Sequence, residues 1–196
     1  MIYNWGYQSC YGGERVQDSH PDRYNFFTVN MVANYYKPGP ATEPGKVSYR
    51  IANPAFREGK ENHGSWYGAD NVRVGNAGVT ADNWDGGVQA DREGENIETV
   101  KLEQPWPAMP IEQQSAEEAY LLVLENAGAV SPQRDAVDAR IIEETRNGFA
   151  TYEGAGYKQR KKVADPAEIC GIIDSPYDVG GWPELNSSTP PKDSDH

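Results

Sequence analysis

Charged side chains are the first candidates for chemistry in this 196-residue chain. Carboxylates crowd the stretch from Asp82 to Glu95, which suggests a calcium loop. Counted from Asp82, however, the third position of such a loop is Trp84, where an oxygen ligand is needed. Runs of like charge usually face water. The pattern therefore favours a solvated acidic loop over a metal site.

A basic cluster and a set of aromatic residues offer a different chemistry. Residues 158–162 read Lys-Gln-Arg-Lys-Lys and could attract an anionic polymer such as a uronate polysaccharide, although a solvated loop is the simpler interpretation. Aromatic rings stack on sugars, but they also fill the corners of a narrow core, and packing is favoured for most of them. The rings in question belong to Trp5, Tyr7, Tyr11 and Trp66.

Histidines and cysteines are too few and too scattered for a zinc-type site, because neither His-x-x-x-His nor Cys-x-x-Cys spacing occurs. They are His20, His63, His196, Cys10 and Cys170. His63 is interpreted as a loop residue. The two cysteines either form one disulfide that closes a very long loop or are unpaired core residues.

The overall composition limits the class of protein. With 18 Lys+Arg against 30 Asp+Glu, the net charge is −12, which excludes a nucleic-acid reader with a general basic face. The sequence has no apolar run of membrane-spanning length, and its amino terminus lacks the features of a signal peptide. Aliphatic residues are few, but 12 Tyr, 5 Trp and 20 Gly argue against disorder. A solenoid with a narrow core, or a piece of a larger core, fits this composition.

Short apolar and aromatic runs predict strands in residues 1–80, which must position the candidate residues. The runs are 2–5, 28–36, 47–51 and 66–74, and turns are predicted at Gly12-Gly13, 38–40, Asn53-Pro54 and Gly75-Asn76. No helical period separates the runs. The pattern is unlike a βαβ fold and favours a sandwich or a β-solenoid.

Asparagines recur in or just after these runs. They are Asn4, Asn34, Asn53 and Asn71. Their spacing falls in the range of solenoid coils with one longer loop. Stacked asparagines can bond from coil to coil and satisfy amide groups inside a narrow core. The sequence therefore predicts an asparagine ladder, with ordinary turn asparagines as the alternative.

An acidic, glycine-rich region follows at 81–112 and ends in prolines at alternate positions over 105–110. Such prolines forbid a helix and predict an extended strap across a surface. The final ten or so residues, 186–196, are polar and are predicted to be a disordered tail.

Residues 113–185 are predicted to form a helical cap and a closing segment. Ser115 and Glu118 make a capping box for a helix over 116–126. Ser131-Pro132 is predicted to begin a second helix over 132–146. Each helix has a single apolar face, so both are expected to pack on the strands.

Four long stretches resemble the pectate lyases of polysaccharide lyase family one. They are residues 2–14, 29–42, 125–140 and 171–185, and shorter matches extend the likeness over most of 2–185. The resemblance implies an all-β fold, a right-handed single-stranded parallel β-helix whose C-terminal coils end in a short two-helix cap. It also implies a secreted enzyme that cleaves de-esterified homogalacturonan by β-elimination with calcium.

The chemistry that the resemblance implies is physically coherent. Calcium bridges protein and uronate carboxylates and thereby acidifies the proton at C5. A positioned base then removes that proton. In this family the base is an arginine, whose pKa must be depressed because arginine normally stays protonated.

The sequence departs from the family at this machinery. The resemblance puts the calcium-binding aspartates and the catalytic arginine upstream of the part that is similar to residues 2–14. No Arg-x-Pro-Arg motif occurs, and none of Arg15, Arg23, Arg50 or Arg57 matches it; Arg50 and Arg57 are interpreted as flanking a turn. We therefore expect a C-terminal portion that is inactive alone and holds no catalytic or metal-ligating residue.

The remaining candidates concern binding. Residues expected to contact pectate at one end of a groove are Tyr7, Tyr11, Arg23 and Lys37. The expected partner is homogalacturonan, with neither nucleic acid nor membrane, and the whole protein is expected to be a monomer. A non-catalytic pectin-binding or structural module is the alternative. A glycoside hydrolase using Asp70 and Asp82 ranks last, because nothing in their spacing singles them out.

Overall fold

The computed structural model describes residues 1–13, 27–56, 63–128, 130 and 133–151. Its strands are β1 Ile2–Tyr3, β2 Tyr11–Gly12, β3 Thr28–Val32, β4 Tyr35–Lys37, β5 Asn53–Pro54, β6 Ser65–Ala69 and β7 Val72–Arg73. Its helices are α1 Ala77–Ala81, α2 Ala116–Asn126 and α3 Ala136–Asn147, and two 3-10 turns span Gly45–Tyr49 and Ile97–Val100. No helix in these ranges is long and apolar enough to cross a membrane.

Every strand pairing in the described residues is parallel, and there are three sheets. Sheet A has the order β1-β4-β7, sheet B pairs β2 with β5, and sheet C pairs β3 with β6. The chain visits sheets A, B and C in the same order on each passage: β1 to β3 first, then β4 to β6. A third passage consists of β7, Val88 bridged to Ala52, and Lys101 bridged to Trp66. Parallel pairing excludes the antiparallel sandwich that the sequence left open.

Equivalent corners join sheet C to sheet A. Ala33 and Asp70 each adopt a left-handed conformation, with φ of 53° and 58°, and each is followed by an asparagine. The backbone N–H and the side-chain Nδ2 of Asn34 both donate to Asn71 Oδ1, at 2.9 and 3.0 Å. Asn71 donates in the same way to Asn83 Oδ1, at 3.0 and 2.9 Å. These three residues are the asparagine ladder.

The predicted ladder is thus confirmed for Asn34 and Asn71 and wrong for the other two members. Asn4 Oδ1 instead accepts from the Ala41 amide at 2.7 Å, and Asn53 Nδ2 donates to the Gln89 carbonyl at 2.6 Å. Asn4 thus bonds to a loop and Asn53 to the next passage, because neither residue lies at the corner between sheets C and A. The third rung, Asn83, follows α1 rather than a strand, so strand spacing could not reveal it.

The core combines aromatic side chains with small aliphatic ones, mostly valines. Trp5 meets Tyr36 edge-on, with ring centroids 6.1 Å apart, and its Nε1 donates to the Val47 carbonyl at 3.0 Å. Tyr36 and Ile51 are fully buried. The aromatic rings of Trp5, Tyr36 and Trp66 contribute large apolar areas to this core.

Two local predictions on the second passage are wrong. Residues 47–51 are not a strand: Gly45, at φ 77°, begins a 3-10 turn there. Asn53-Pro54 is not a turn but strand β5. The Asn53 amide donates to Cys10 and the Ala55 amide to Gly12, so the donor that Pro54 lacks would point away from β2, where a strand tolerates proline.

The helices follow their local signals. α2 begins at the predicted Ser115–Glu118 capping box and ends at Asn126, which confirms that helix. α3 begins at Ala136, later than predicted, because Asp135 Oδ1 accepts from the Asp138 amide and caps it; Ser131 and Pro132 lie outside the described residues. It ends at Asn147, one residue beyond the predicted 146, and Gly148 is its C-cap.

α2 packs on the outer face of sheet A. Tyr120 stacks on Tyr35 with ring centroids 4.3 Å apart and planes at 18°. Leu124 and Ala116 are also buried, whereas Leu121 and Leu122 are exposed. The prediction that this helix packs on the strands is therefore confirmed for α2.

The proline-rich segment is extended and exposed, and one side chain fastens it. Leu102 N donates to the Trp66 carbonyl, and the chain then reaches Asn30 on the first passage. Asn30 Nδ2 donates to the Trp106 carbonyl and Asn30 Oδ1 accepts from the Trp106 amide, both at 2.8 Å. The predicted strap therefore lies on sheet C and is held there by the Asn30 amide, which imitates a strand.

We expect Asn30→Ala to release this strap while leaving the strands folded. The variant loses both bonds to Trp106, and exposed hydrogen bonds of this kind contribute about 1 kcal/mol each. Residues 103–110 should become more sensitive to limited proteolysis, whereas the free energy of unfolding should fall by about 1 to 2 kcal/mol. Asn126→Ala, which removes one exposed amide bond to Leu122, is the matched control. Unchanged cleavage of the strap would contradict this assignment.

Candidate functional site

An arginine pillar, made of Tyr7, Arg50 and Gln89, crosses three consecutive passages. Arg50 is 7% exposed, and its guanidinium carbon lies 5.1 Å from the centroid of the Tyr7 ring, which is 44% exposed. Arg50 Nη1 donates to the Tyr7 carbonyl at 3.0 Å, and Arg50 Nε donates to Gln89 Oε1 at 2.9 Å. The pillar therefore fixes a half-exposed ring above a buried positive charge.

The lower part of the pillar is held by backbone carbonyls. Gln89 Nε2 donates to the carbonyls of Lys46 and Gly86 at 2.8 and 2.7 Å, which orients its Oε1 toward Arg50. Ser9 Oγ is within hydrogen-bond distance of the carbonyl of Arg50, at 2.9 Å. In the described part of the chain, no carboxylate forms an ion pair with Arg50. Neutral oxygens and an aromatic face thus stabilise its charge.

The pillar combines a partly exposed ring with a buried positive charge. The Tyr7 side chain is 44% exposed, and tyrosine presents an apolar face together with a polar hydroxyl. The guanidinium beneath it adds a positive field in a protein whose net charge is −12. The three side chains of the pillar include neither a carboxylate nor a histidine, so they offer no acid–base pair.

Of the four predicted substrate contacts, two lie near each other in sequence on the first passage. Tyr7 belongs to the pillar, and Tyr11 is in β2 with 41% of its surface exposed. Arg23 lies outside the described residues. These assignments stay predictions. The pillar adds Arg50, which was interpreted as flanking a turn; the turn predicted at Asn53-Pro54 is strand β5, and Arg50 is buried.

Lys37, the fourth predicted contact, is on sheet A, and its described contacts are with the helices. Its Nζ donates to the carbonyls of Thr145 and Arg146 at 2.7 and 2.9 Å, and it lies 3.4 Å from the Tyr120 hydroxyl. These carbonyls end α3, where a cation is favoured by the helix dipole. The contacts give Lys37 an anchoring role between sheet and helix, away from the pillar.

Sequence reasoning also missed a second buried arginine. Arg73 is 7% exposed, its Nε donates to the Ser48 carbonyl at 2.6 Å, and its Nη1 bonds to the Val74 carbonyl. Burial lowers the pKa of its guanidinium. No sequence signal distinguishes Arg50 and Arg73 from surface arginines, because their burial depends on which passages stack together.

The other candidates occupy local structural positions. His63 Nδ1 is 3.0 Å from the Gly64 carbonyl and its ring packs near Phe56, which suits a loop residue. Cys10 is a free, half-buried thiol whose pKa is raised by burial, so it fits the unpaired alternative. Cys170 and the basic cluster 158–162 lie outside the described residues.

Two acidic residues of the stretch from Asp82 to Glu95 bond to backbone amides. Within residues 1–13, 27–56, 63–128, 130 and 133–151, no three His, Cys, Asp or Glu side chains group as metal ligands. Asp82 Oδ1 accepts from the Trp84 amide, and Asp91 Oδ1 accepts from the Phe56 amide, both at 2.9 Å. These carboxylates satisfy backbone donors, and Asp70 forms a corner.

Comparison with known proteins gives the chain a relationship. No family model matches it. Over all 196 residues, it is 29% identical to proteins described as "Probable pectate lyase C" from two strains of Aspergillus fumigatus. The chain is related to pectate lyases. It spans 37% of the length of these curated relatives.

The similarity covers every described element, because it runs along the whole chain. The parallel sheets and the helices therefore belong to the pectate-lyase-related sequence as a unit.

Proposed function

We propose that this chain is the C-terminal part of a pectin-degrading lyase. In this proposal each passage is one coil of a right-handed parallel β-helix, and α2 and α3 form a cap on its side. The observation that most supports this proposal is the similarity to pectate lyases over all 196 residues. Two further facts support it: the chain visits the three parallel sheets in a repeating order, and right-handed crossovers are the rule between parallel strands.

The whole protein would be a secreted, monomeric enzyme that cleaves pectate by β-elimination with calcium. Calcium would supply charge neutralisation and acidify the proton to be removed. The residues described here would not hold that ion, since no three of their His, Cys, Asp or Glu side chains group as ligands and Asp82 and Asp91 accept from backbone amides. Their part would be to position the polysaccharide, with Tyr7 stacking on a sugar and Arg50 placing a positive charge behind it.

We expect the chain alone to be inactive as a lyase. The test measures absorbance of unsaturated oligogalacturonate released from polygalacturonate in calcium buffer. A pectate lyase of known activity and the heat-treated chain serve as positive and negative controls. The chain should give the same trace as its heat-treated sample, because it contains no Arg-x-Pro-Arg motif and no described carboxylate cluster. Robust calcium-dependent turnover would refute the assignment.

A non-catalytic pectin-binding module is the second candidate, and the exposed ring of the pillar favours it. This candidate requires retention on a pectate column without cleavage. Retention should weaken in Tyr7→Ala and stay unchanged in Phe149→Ala, whose side chain is similarly exposed on another part of the surface. Equal retention of both variants with the parent chain would remove the pillar from the binding site.

A further inference from the structure

A long exposed segment joins the strands to the helices. It contains the strap and its link to α2, spans residues 103–115, and is called the connecting segment below. All of its residues are exposed. Exposed segments of this kind are the preferred places at which proteases cut folded proteins. The contacts and the prolines of the connecting segment determine which of its peptide bonds a protease can bind.

The connecting segment is fixed at two points. Near its start, the Asn30 side chain bonds to both the amide and the carbonyl of Trp106. At its end, the Ser115 amide donates to Glu118 Oε2 at 2.9 Å as part of the capping box of α2. In the described part of the chain, no backbone amide between these two points donates to another protein group. Residues 107–114 therefore offer their main chain to an external partner.

Endopeptidases place specific demands on the main chain that they cut. They bind it in an extended form along an edge strand of the enzyme, so that every second residue pairs with the enzyme. The paired residues are the one just before the cut, the third one before it and the second one after it. The second residue before the cut points away from the enzyme strand, and a proline is tolerated there because its missing N–H is not used.

The bond between Ile111 and Glu112 meets these demands. For a cut at this bond, the paired residues are Met109, Ile111 and Gln113, whose amides bond to no other described residue. The second residue before the cut is Pro110, at the position where a proline is tolerated. Both the sequence and the contacts of the segment thus permit a protease to bind here.

The other bonds of the connecting segment fail at least one demand. Most of them adjoin a proline, which removes an amide at the cut itself. Cuts after Ala108 or Glu112 put Pro110 at a paired position, and a cut after Ala108 also needs Trp106, which Asn30 already holds. Cuts further along need residues of the capping box or of α2 in an extended form. Only the Ile111–Glu112 bond remains.

The side chains around this bond indicate the class of protease. Ile111, just before the cut, is 75% exposed, and this is the residue that serine endopeptidases insert into their specificity pocket. Met109 is 86% exposed and lies two residues earlier, on the same side of an extended chain. Both side chains are apolar and uncharged. They fit an enzyme with a small apolar specificity pocket, as in elastase.

We propose that the Ile111–Glu112 bond is a site of proteolytic modification by an endopeptidase with a small apolar pocket. Water is the co-reactant: the C–N bond breaks, the hydroxyl of water joins the Ile111 carbonyl carbon, and a proton goes to the Glu112 nitrogen. The products are a carboxylate at residue 111 and an amino group at residue 112. This property of the chain does not depend on lyase activity and goes beyond the proposed function.

The cut leaves the helices attached to the strands. It falls between the two fixed points, so it breaks none of the described hydrogen bonds. Tyr120 of α2 stays stacked on Tyr35, and Lys37 Nζ still donates to the carbonyls that end α3. The Tyr3 hydroxyl still donates to the Phe149 carbonyl, at 2.5 Å. We therefore expect residues 1–111 and 112–196 to remain bound to each other after the cut.

The test digests the full native chain with elastase and follows the appearance of the new amino terminus at Glu112 by mass spectrometry. In the connecting segment, this cut should precede all others. Ile111→Asp places a charge where the apolar pocket needs an isobutyl-like side chain, so its rate of cutting at this bond should fall about tenfold or more. An equal rate in the parent chain and in Ile111→Asp would overturn the assignment of the pocket.

A pair of variants at Met109 tests the mode of binding. Met109→Pro removes the amide that must pair with the enzyme, whereas Met109→Ala, its matched control, keeps that amide. Met109→Ala should be cut at a rate near that of the parent chain, and Met109→Pro about tenfold more slowly or less still. Both variants should keep the parent's melting temperature, because this side chain is 86% exposed. Equal cutting of both variants would overturn the proposal.

Size-exclusion chromatography of the cut chain tests whether the two pieces stay together. They should elute as one species in native buffer and separate in urea. The Lys37→Ala variant should release the helical piece at a lower urea concentration than Lys46→Ala, a control whose exposed side chain has no recorded contact with the described helices. Separation of the pieces in native buffer would overturn the expected attachment. None of these readouts uses lyase activity, so they are distinct from the test of the proposed function.

Discussion

The Asn71→Ala variant is expected to lose about 3 to 5 kcal/mol of the free energy of unfolding, because buried groups left without partners cost about 1 to 3 kcal/mol each. Asn71 is fully buried, and its Oδ1 accepts both Asn34 donors. Its Nδ2 donates to the Met31 carbonyl at 2.7 Å and to Asn83 Oδ1 at 2.9 Å. The substitution removes these bonds where water cannot replace them.

Urea denaturation followed by tryptophan fluorescence measures this loss. Asn71→Asp separates the two halves of the amide: the carboxylate still accepts from Asn34 but cannot donate to the Met31 carbonyl, so we expect a loss similar to that of Asn71→Ala. Asn126→Ala, at an exposed helix position, should cost less than about 1 kcal/mol. If the ladder contributed little to stability, Asn71→Ala would lose as little free energy of unfolding as the Asn126→Ala control.

Removal of the arginine at the centre of the pillar is the second large effect. Arg50→Ala should lower the free energy of unfolding by about 2 to 4 kcal/mol, since it removes the hydrogen bonds to Gln89 Oε1 and the Tyr7 carbonyl and opens a void. Arg50→Lys keeps a charge but cannot reach both acceptors with a planar fork, so its loss should be smaller but measurable.

The matched control for both variants is Arg92→Ala, which removes an exposed arginine and should leave stability within about 0.5 kcal/mol of the parent chain. Thermal and urea unfolding give the free energies of unfolding. Hydrogen exchange at the Tyr7 amide reports whether the first passage remains packed on the second. If Arg50→Ala behaves like Arg92→Ala, the pillar does not hold the passages together.

Predictions that depend on neighbouring residues were the accurate ones. The capping box at Ser115 and Glu118 defines where α2 begins, because both partners lie within one turn of helix. Gly148 ends α3 for the same kind of reason, as a residue at φ 81° stops a helix locally. α3 begins later than predicted because Asp135 is the residue whose side chain caps it.

Predictions that depend on which passages stack were less accurate. Asn53-Pro54 has the composition of a turn, yet it is strand β5 because its flanking amides meet Cys10 and Gly12 on the passage before. Only Asn34 and Asn71 of the four predicted ladder residues belong to the ladder. They share a corner of the fold, which the spacing of asparagines alone does not identify. Arg50 was not identified as part of a site, because its burial requires Tyr7 and Gln89 from two other passages.

The two hydrogen bonds between Asn30 and Trp106 limit where a further passage can be inserted into such a protein. The strap leaves the third passage at Leu102 and is bound to the first passage at Asn30. Its length must therefore match the distance between these two passages. An extended chain covers about 3.3 Å per residue, and each additional layer of parallel strand raises the stack by about 4.8 Å. An extra passage inserted between Asn30 and Lys101 therefore requires a longer strap, whereas a passage added before β1 does not change the length that the strap must span.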